Sequence, residues 1–179
     1  MLSFLKAGAA ALAISAALLT APSAAVAQDG GSITVTYKDD IATLDPAIGY
    51  DWQNFSMIKA IFDGLMDYEP GTATLRPGLA ESYEISPDGK VFTFKLRDGV
   101  KFHNGREMTA DDVKYSFERT VNPATQSPGA GFLASIDGFD AMQAGEATSL
   151  SGVEILDPKT VQVTLSRPDA TFLSVMALN

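Results

Sequence analysis

In the strand Val91–Arg97 apolar and polar residues alternate from Phe92 onward: Phe92, Phe94 and Leu96 share one face, and Thr93, Lys95 and Arg97 share the other. Period two is the spacing of a strand with one buried face, so this stretch has to find a partner strand and a core. Ser86-Pro87-Asp88-Gly89 precedes it as a turn, Pro fixing φ and Gly admitting positive φ, with Tyr83 and Ile85 on the other side. A half-buried antiparallel hairpin is predicted. Asp98-Gly99 and Asn104-Gly105 then bracket Val100–His103 as a short second hairpin or wide turn. Thr109-Ala110-Asp111-Asp112 has the form of a capping box with Asp in place of Glu. It puts two carboxylates at the positive end of a helix whose last turn carries Arg119, with Val113, Tyr115 and Phe117 as its apolar surface.

The other segments read as alternating strands and helices, an α/β arrangement. Ile33, Val35 and Tyr37 predict a first strand over residues 32–38, followed by a loop from Asp39 to Tyr50. Asp51 caps a helix carrying Phe55, Ile58, Ile61, Phe62 and Leu65, which Gly64 can end early; Arg76-Pro77-Gly78 breaks the chain. Phe132, Leu133, Ile136, Phe139 and Met142 suggest one helix with Gly138 weakening its middle. Val153–Ile155, the turn Asp157-Pro158-Lys159, and Val161, Val163 and Leu165 form another hairpin. The last segment, from Pro168, holds Phe172, Leu173, Val175, Met176 and Leu178. Leaving it wet costs about 25 cal/mol per Å², so it either docks back or belongs to a truncated helix that exposes its apolar side.

The first 27 residues differ in kind. Twenty of them are apolar, the one charge is Lys6, and Ala25-Val26-Ala27 supplies small residues before Gln28. That is the layout of a cleavable export signal, and the apolar run falls short of the ~20 residues that span a bilayer. The remainder carries 12 basic and 22 acidic side chains, a formal charge of −10, which argues against nucleic acid as a partner. The absence of cysteine leaves no residue to acylate as a lipid anchor and no disulfide despite an oxidising destination. A Gram-negative periplasm is the expected location, with secretion to the medium as the alternative.

The residues carry little catalytic chemistry. His103 is the sole histidine, so cysteine- and histidine-rich metal sites cannot be assembled. No Gly-x-Ser-x-Gly elbow occurs, and Gly129-Ala130-Gly131 lacks the continuation of a phosphate loop. Asp39-Asp40 and Asp111-Asp112 are adjacent pairs without the alternation of a calcium loop. Asp111-Asp112 therefore reads as charge complementing a helix N-terminus, and His103 as a donor to a backbone carbonyl of its own hairpin. Tyr50 and Trp52 flank Asp51 in the loop after the first strand, where α/β folds bind ligands; core packing is the competing reading for Trp52.

The run from Phe92 through Gly105, continued by Met108-Thr109-Ala110-Asp111-Asp112-Val113-Lys114-Tyr115-Ser116-Phe117-Glu118-Arg119, closely resembles family 5 of the bacterial extracellular solute-binding proteins. Leu44-Asp45-Pro46, Ile61-Phe62-Asp63-Gly64-Leu65, Leu79-Ala80-Glu81-Ser82-Tyr83, Ser151-Gly152-Val153 and Leu165-Ser166-Arg167-Pro168 extend the resemblance along the chain. It implies a type II periplasmic binding protein-like fold of cluster C, with two lobes closing on a ligand. Residues 28–66 would begin lobe I, 67–170 would be an inserted subdomain, and 171–179 a truncated helix. The implied protein is a monomeric, non-catalytic receptor without cofactor or metal, passing peptides or similar solutes to an inner-membrane ABC permease. Gly49, Tyr50, Asp51, Trp52 and Gly129 are the residues expected at the cleft. Peptide binders of the family often carry an aromatic residue at the position of Gly129. The alternatives are a family receptor for a sugar, opine or metal chelate, a secreted hydrolase with its catalytic groups beyond Asn179, and a stand-alone interaction domain.

Overall fold

The computed structural model describes residues 34–178; the export-signal segment and the first two residues of the expected strand at 32–38 lie outside them. The chain divides into two units, Met1–Thr36 and Tyr37–Asn179, and every element named here belongs to the second. In order these are α1 (Trp52–Ile61), β1 (Met66–Tyr68), β2 (Leu75–Pro77), β3 (Ala80–Ile85), β4 (Val91–Leu96), α2 (Ala110–Val121), α3 (Phe139–Gln143), β5 (Val153–Asp157), β6 (Thr160–Thr164) and α4 (Phe172–Val175).

The alternating stretch does what its pattern requires. Strand β4 pairs antiparallel with β3 through the Ser86–Gly89 turn and on its other side with β6, giving the order β3-β4-β6-β5. Phe92 faces Val163, Phe94 faces Val161, and Val163 faces Val153, so one apolar ladder runs across three strands and all five side chains are buried. The opposite face is polar, with Gln162 Nε2 donating to Thr93 Oγ1 at 3.2 Å. Helix α2, lying in sequence between β4 and β6, packs on β5 and β6 and buries Ala110, Val113 and Val121. The ring of Phe172 seals the core 4.7 Å from that of Phe92.

Several expectations change. Residues 34–38 form no ladder, and Val35 and Tyr37 are exposed: alternation marks a potential strand, but none of the described strands pairs with it. Helix α1 stops at Ile61, because Phe62 turns extended and the chain enters β1, which forms with β2 a two-stranded ribbon that the sequence pattern did not reveal. The single helix expected over Phe132–Met142 is two pieces, a 3-10 turn at Ala130–Leu133 and α3. Between them Ile136 bridges to Leu165 and Gly138 takes φ +85° with its Cα close to Ser151. The last apolar segment docks: Phe172, Met176 and Ala177 are buried, and Met66 N–H donates to Met176 O at 3.0 Å.

Two substitutions in the full-length protein test this packing by urea unfolding. Phe94→Ala should cost about 3–5 kcal/mol and Lys95→Ala about 0.5 or less; similar costs would contradict the one-sided burial of β4. A methyl at Gly138 would lie 2.6 Å from Ser151 Oγ and 2.7 Å from its backbone nitrogen, whereas Gly105, at φ +86°, opens on empty space. Gly105→Ala should therefore cost only the backbone strain, about 1–2 kcal/mol, and Gly138→Ala clearly more.

Candidate functional site

A cleft of about 370 Å³ opens between the Pro46–Tyr50 turn, the residues after α1, helix α2 and the loop that follows it. The side chains make it apolar. Val113, Phe117 and Thr120 present one helical face of α2 to it, Phe55 and Phe62 come from α1 and its end, and Leu133, Val175 and Met176 close the far side. Its floor is a tight backbone crossing: Leu79 N–H donates to Gly64 O and Gly78 N–H to Leu65 O, each at 2.9 Å. Gly64 has no room for a side chain there, since a Cβ would meet Met176 O at 2.8 Å.

The turn is built around Asp45. Its carbonyl accepts from the N–H groups of Ile48 at 3.0 Å and Gly49 at 2.8 Å, and its Oδ1 accepts from Ala47 N–H at 3.0 Å. Both carboxylate oxygens also accept from the guanidinium of Arg119 in the last turn of α2, the Nη1–Oδ1 distance being 2.7 Å and the Nη2–Oδ2 contact completing the fork. The buried amide of Asn54 accepts from Ala42 N–H at 2.9 Å and Thr43 N–H at 3.3 Å. The segment before α1 is thereby tied to α1 through Asn54 and to α2 through Asp45.

The expected cleft residues separate. Gly49 and Tyr50 line the cleft from one side and Gly129 from the other. The Tyr50 ring lies 5.7 Å from that of Phe132, tilted by 42°, so the rim carries an aromatic pair that joins the two loops. Asp51 instead caps α1, accepting from Asn54 N–H at 3.0 Å. Trp52 is 82% exposed, lies outside the core, and is not among the residues lining this cleft. At Gly129 a Cβ would make only ordinary contacts, 3.6 Å to Ser127 Oγ and 3.8 Å to Phe132, so the position can hold a side chain. The loop reaches it through Gln126, whose φ of +53° is left-handed.

Phe132 and Arg119 were not singled out as cleft residues from sequence. Phe132 looked like one apolar position of a continuous helix, and Arg119 like a charge at a helix end. Asp112 is structural: its Oδ2 accepts from Thr109 N–H at 2.9 Å, and Arg106 grips both its oxygens at 2.9 and 2.7 Å. His103 is exposed in a turn held by Gly105 N–H to Phe102 O at 2.8 Å; among the described residues its imidazole donates to no carbonyl of that hairpin. Among the described residues, no three His, Cys, Asp or Glu side chains gather as a metal site, and no helix is long and apolar enough to cross a membrane.

The Arg119 guanidinium, aided by Ala47 N–H, holds the Asp45 carboxyl below its ordinary 3.8 against the opposing effect of burial. A carboxyl more acidic when folded stabilises fully above its unfolded pKa and loses that contribution as pH falls through the folded value. The difference in unfolding free energy between the full-length protein and its Asp45→Asn variant should therefore be constant above about pH 5 and shrink below about pH 4. A difference that stays the same at every pH would contradict the ion pair.

Residues 74–178 match the sequence pattern described as the middle part of the bacterial extracellular solute-binding proteins, family 5. Di/tripeptide-binding protein 4 of Pseudomonas aeruginosa is 41% identical over 126 residues, covering 67% of this chain and 23% of the relative. Heme-binding protein A of Haemophilus influenzae is 38% identical over 127 residues, 68% of this chain and 23% of the relative. The solved Escherichia coli murein tripeptide binding protein superposes with a TM-score of 0.73 at 36% identity, over 79% of this chain and 28% of that one. The chain thus spans about a quarter of the length of these relatives. With its α/β elements in the type II periplasmic binding-protein arrangement, it belongs to family 5 of the bacterial extracellular solute-binding proteins.

Proposed function

We propose that the chain is the N-terminal part of a non-catalytic receptor that captures peptides outside the cytoplasm and passes them to an inner-membrane ABC permease. Residues 28–66 begin lobe I and 67–170 form an inserted subdomain. The receptor works as a monomer without cofactor, exported to the periplasm by residues 1–27. The observation that carries this reading is the open, apolar cleft, built in a chain that is 41% identical to a di/tripeptide-binding protein. Gly49, Tyr50 and Gly129 are assigned to ligand contact on that cleft, with Phe132 beside Tyr50.

Such a receptor does no chemistry, so its mechanism is a difference in affinity. Ligand that touches both lobes binds the closed form better than the open one, and that difference alone drives closure. An apolar cleft supplies burial without selecting strongly among apolar side chains, while backbone groups of the peptide would be met largely by the rest of the protein.

The heme-binding relative, nearly as similar, and the apolar lining favour one second reading: a family receptor for a non-peptide, largely apolar ligand. Calorimetry of the full-length protein against a synthetic di- and tripeptide set and against hemin separates the two. Saturable heat with peptides supports the first. Binding of hemin with none of any peptide would replace it with the second.

A further inference from the structure

We propose that Asp45 and Arg119 are positioning residues of the cleft, acting through Tyr50 to hold the aromatic rim against Phe132. The inference rests on the cleft being the ligand site, as proposed above.

The geometry gives the pair this reach. Tyr50 follows a turn whose backbone folds on Asp45, through the Ile48, Gly49 and Ala47 N–H groups. Gly49 itself is buried, and a Cβ there would meet Ile58 Cδ1 at 2.5 Å and Asn54 Cβ at 3.1 Å, so the turn sits flush on α1. The other side of the rim hangs from α2, which ends at Val121 and leads through Pro123–Thr125 to the 3-10 turn carrying Phe132. Arg119 is the residue of α2 that reaches across, 74 positions away in sequence, to the carboxylate at the base of the Tyr50 turn. The fork is two-pronged, which fixes orientation as well as distance, and both partners are only about one-third exposed. A lysine would keep the charge and lose the fork.

The pair does not itself need to touch ligand. Its effect on binding passes through where Tyr50 stands, and this separates positioning from mere stabilisation. A residue that only stabilises the fold lowers the melting temperature and leaves the affinity of the folded protein unchanged.

The test is calorimetry of the full-length protein, well below its melting temperature, with the tightest-binding member of a synthetic di- and tripeptide set. Asp45→Ala and Arg119→Ala should each weaken binding by about tenfold, and the double variant no more than either alone. Arg119→Lys, the mildest change and the safeguard should an alanine variant fold poorly, should also weaken binding. In a Tyr50→Leu background, Asp45→Ala and Arg119→Lys should have no further effect on affinity. Wild-type affinity in Arg119→Lys, or losses that multiply with that of Tyr50→Leu, would overturn the positioning role while leaving the receptor reading standing. Failure of the wild-type protein to bind any member of the set would overturn the peptide reading and this inference together.

Discussion

One face of one strand organises this chain. Phe92, Phe94 and Leu96 have to leave water together, and β4, placed inside its sheet between β3 and β6, turns all three into the core. Strand β3 reaches β4 by a short turn. The second neighbour, β6, arrives only after more than sixty residues, so the intervening α2, the 3-10 turns and α3 must form a layer that begins and ends at the same sheet. The chain closes the core from its far end with Phe172. Fully burying side chains of this size contributes about 1.5–3 kcal/mol each, more than any surface ion pair in the molecule, whose usual worth is about 0–1 kcal/mol.

The cleft is a consequence of that layering, not an addition to it. Helix α2 turns one side to the sheet and another to the Asp45–Tyr50 loop, and the space between is what the loop does not fill. The ion pair between Asp45 and Arg119 is partly shielded and two-pronged, so its value lies in geometry. It fixes which way the loop faces. Lys59 does similar work on the other side, donating to Ala177 O at 3.0 Å and pairing with Asp67 at 3.2 Å, which stitches the C-terminal segment to α1 and β1.

How much of this could be read in the sequence depended on whether the signal was local. The β3–β4 hairpin, the β5–β6 hairpin and the cap at Thr109 are set by neighbours within a few residues, and each stands where the pattern puts it. The expected strand at 32–38 needed a distant partner, and none of the described strands pairs with it. Gly138 broke a helix that hydrophobic spacing favoured, because the backbone there has to pass Ser151 with positive φ. Of the residues expected at the cleft, Gly49, Tyr50 and Gly129 line it, whereas Trp52 stands exposed outside both this cleft and the core, because aromatic type alone says nothing about which way a residue on a helix faces. Arg119 and Phe132 escaped for a related reason: their role exists only once residues far apart in sequence are brought together.

Whether this cleft is one wall of a peptide site is decided by hydrogen–deuterium exchange on the full-length protein with and without a saturating di- and tripeptide set. Ligand should slow exchange in residues 46–50 and 127–133 and leave the β3–β4 turn at Ser86–Gly89 unchanged. Ligand binding that leaves both cleft segments exchanging as before, and protects only surfaces elsewhere, would contradict a peptide site at this cleft.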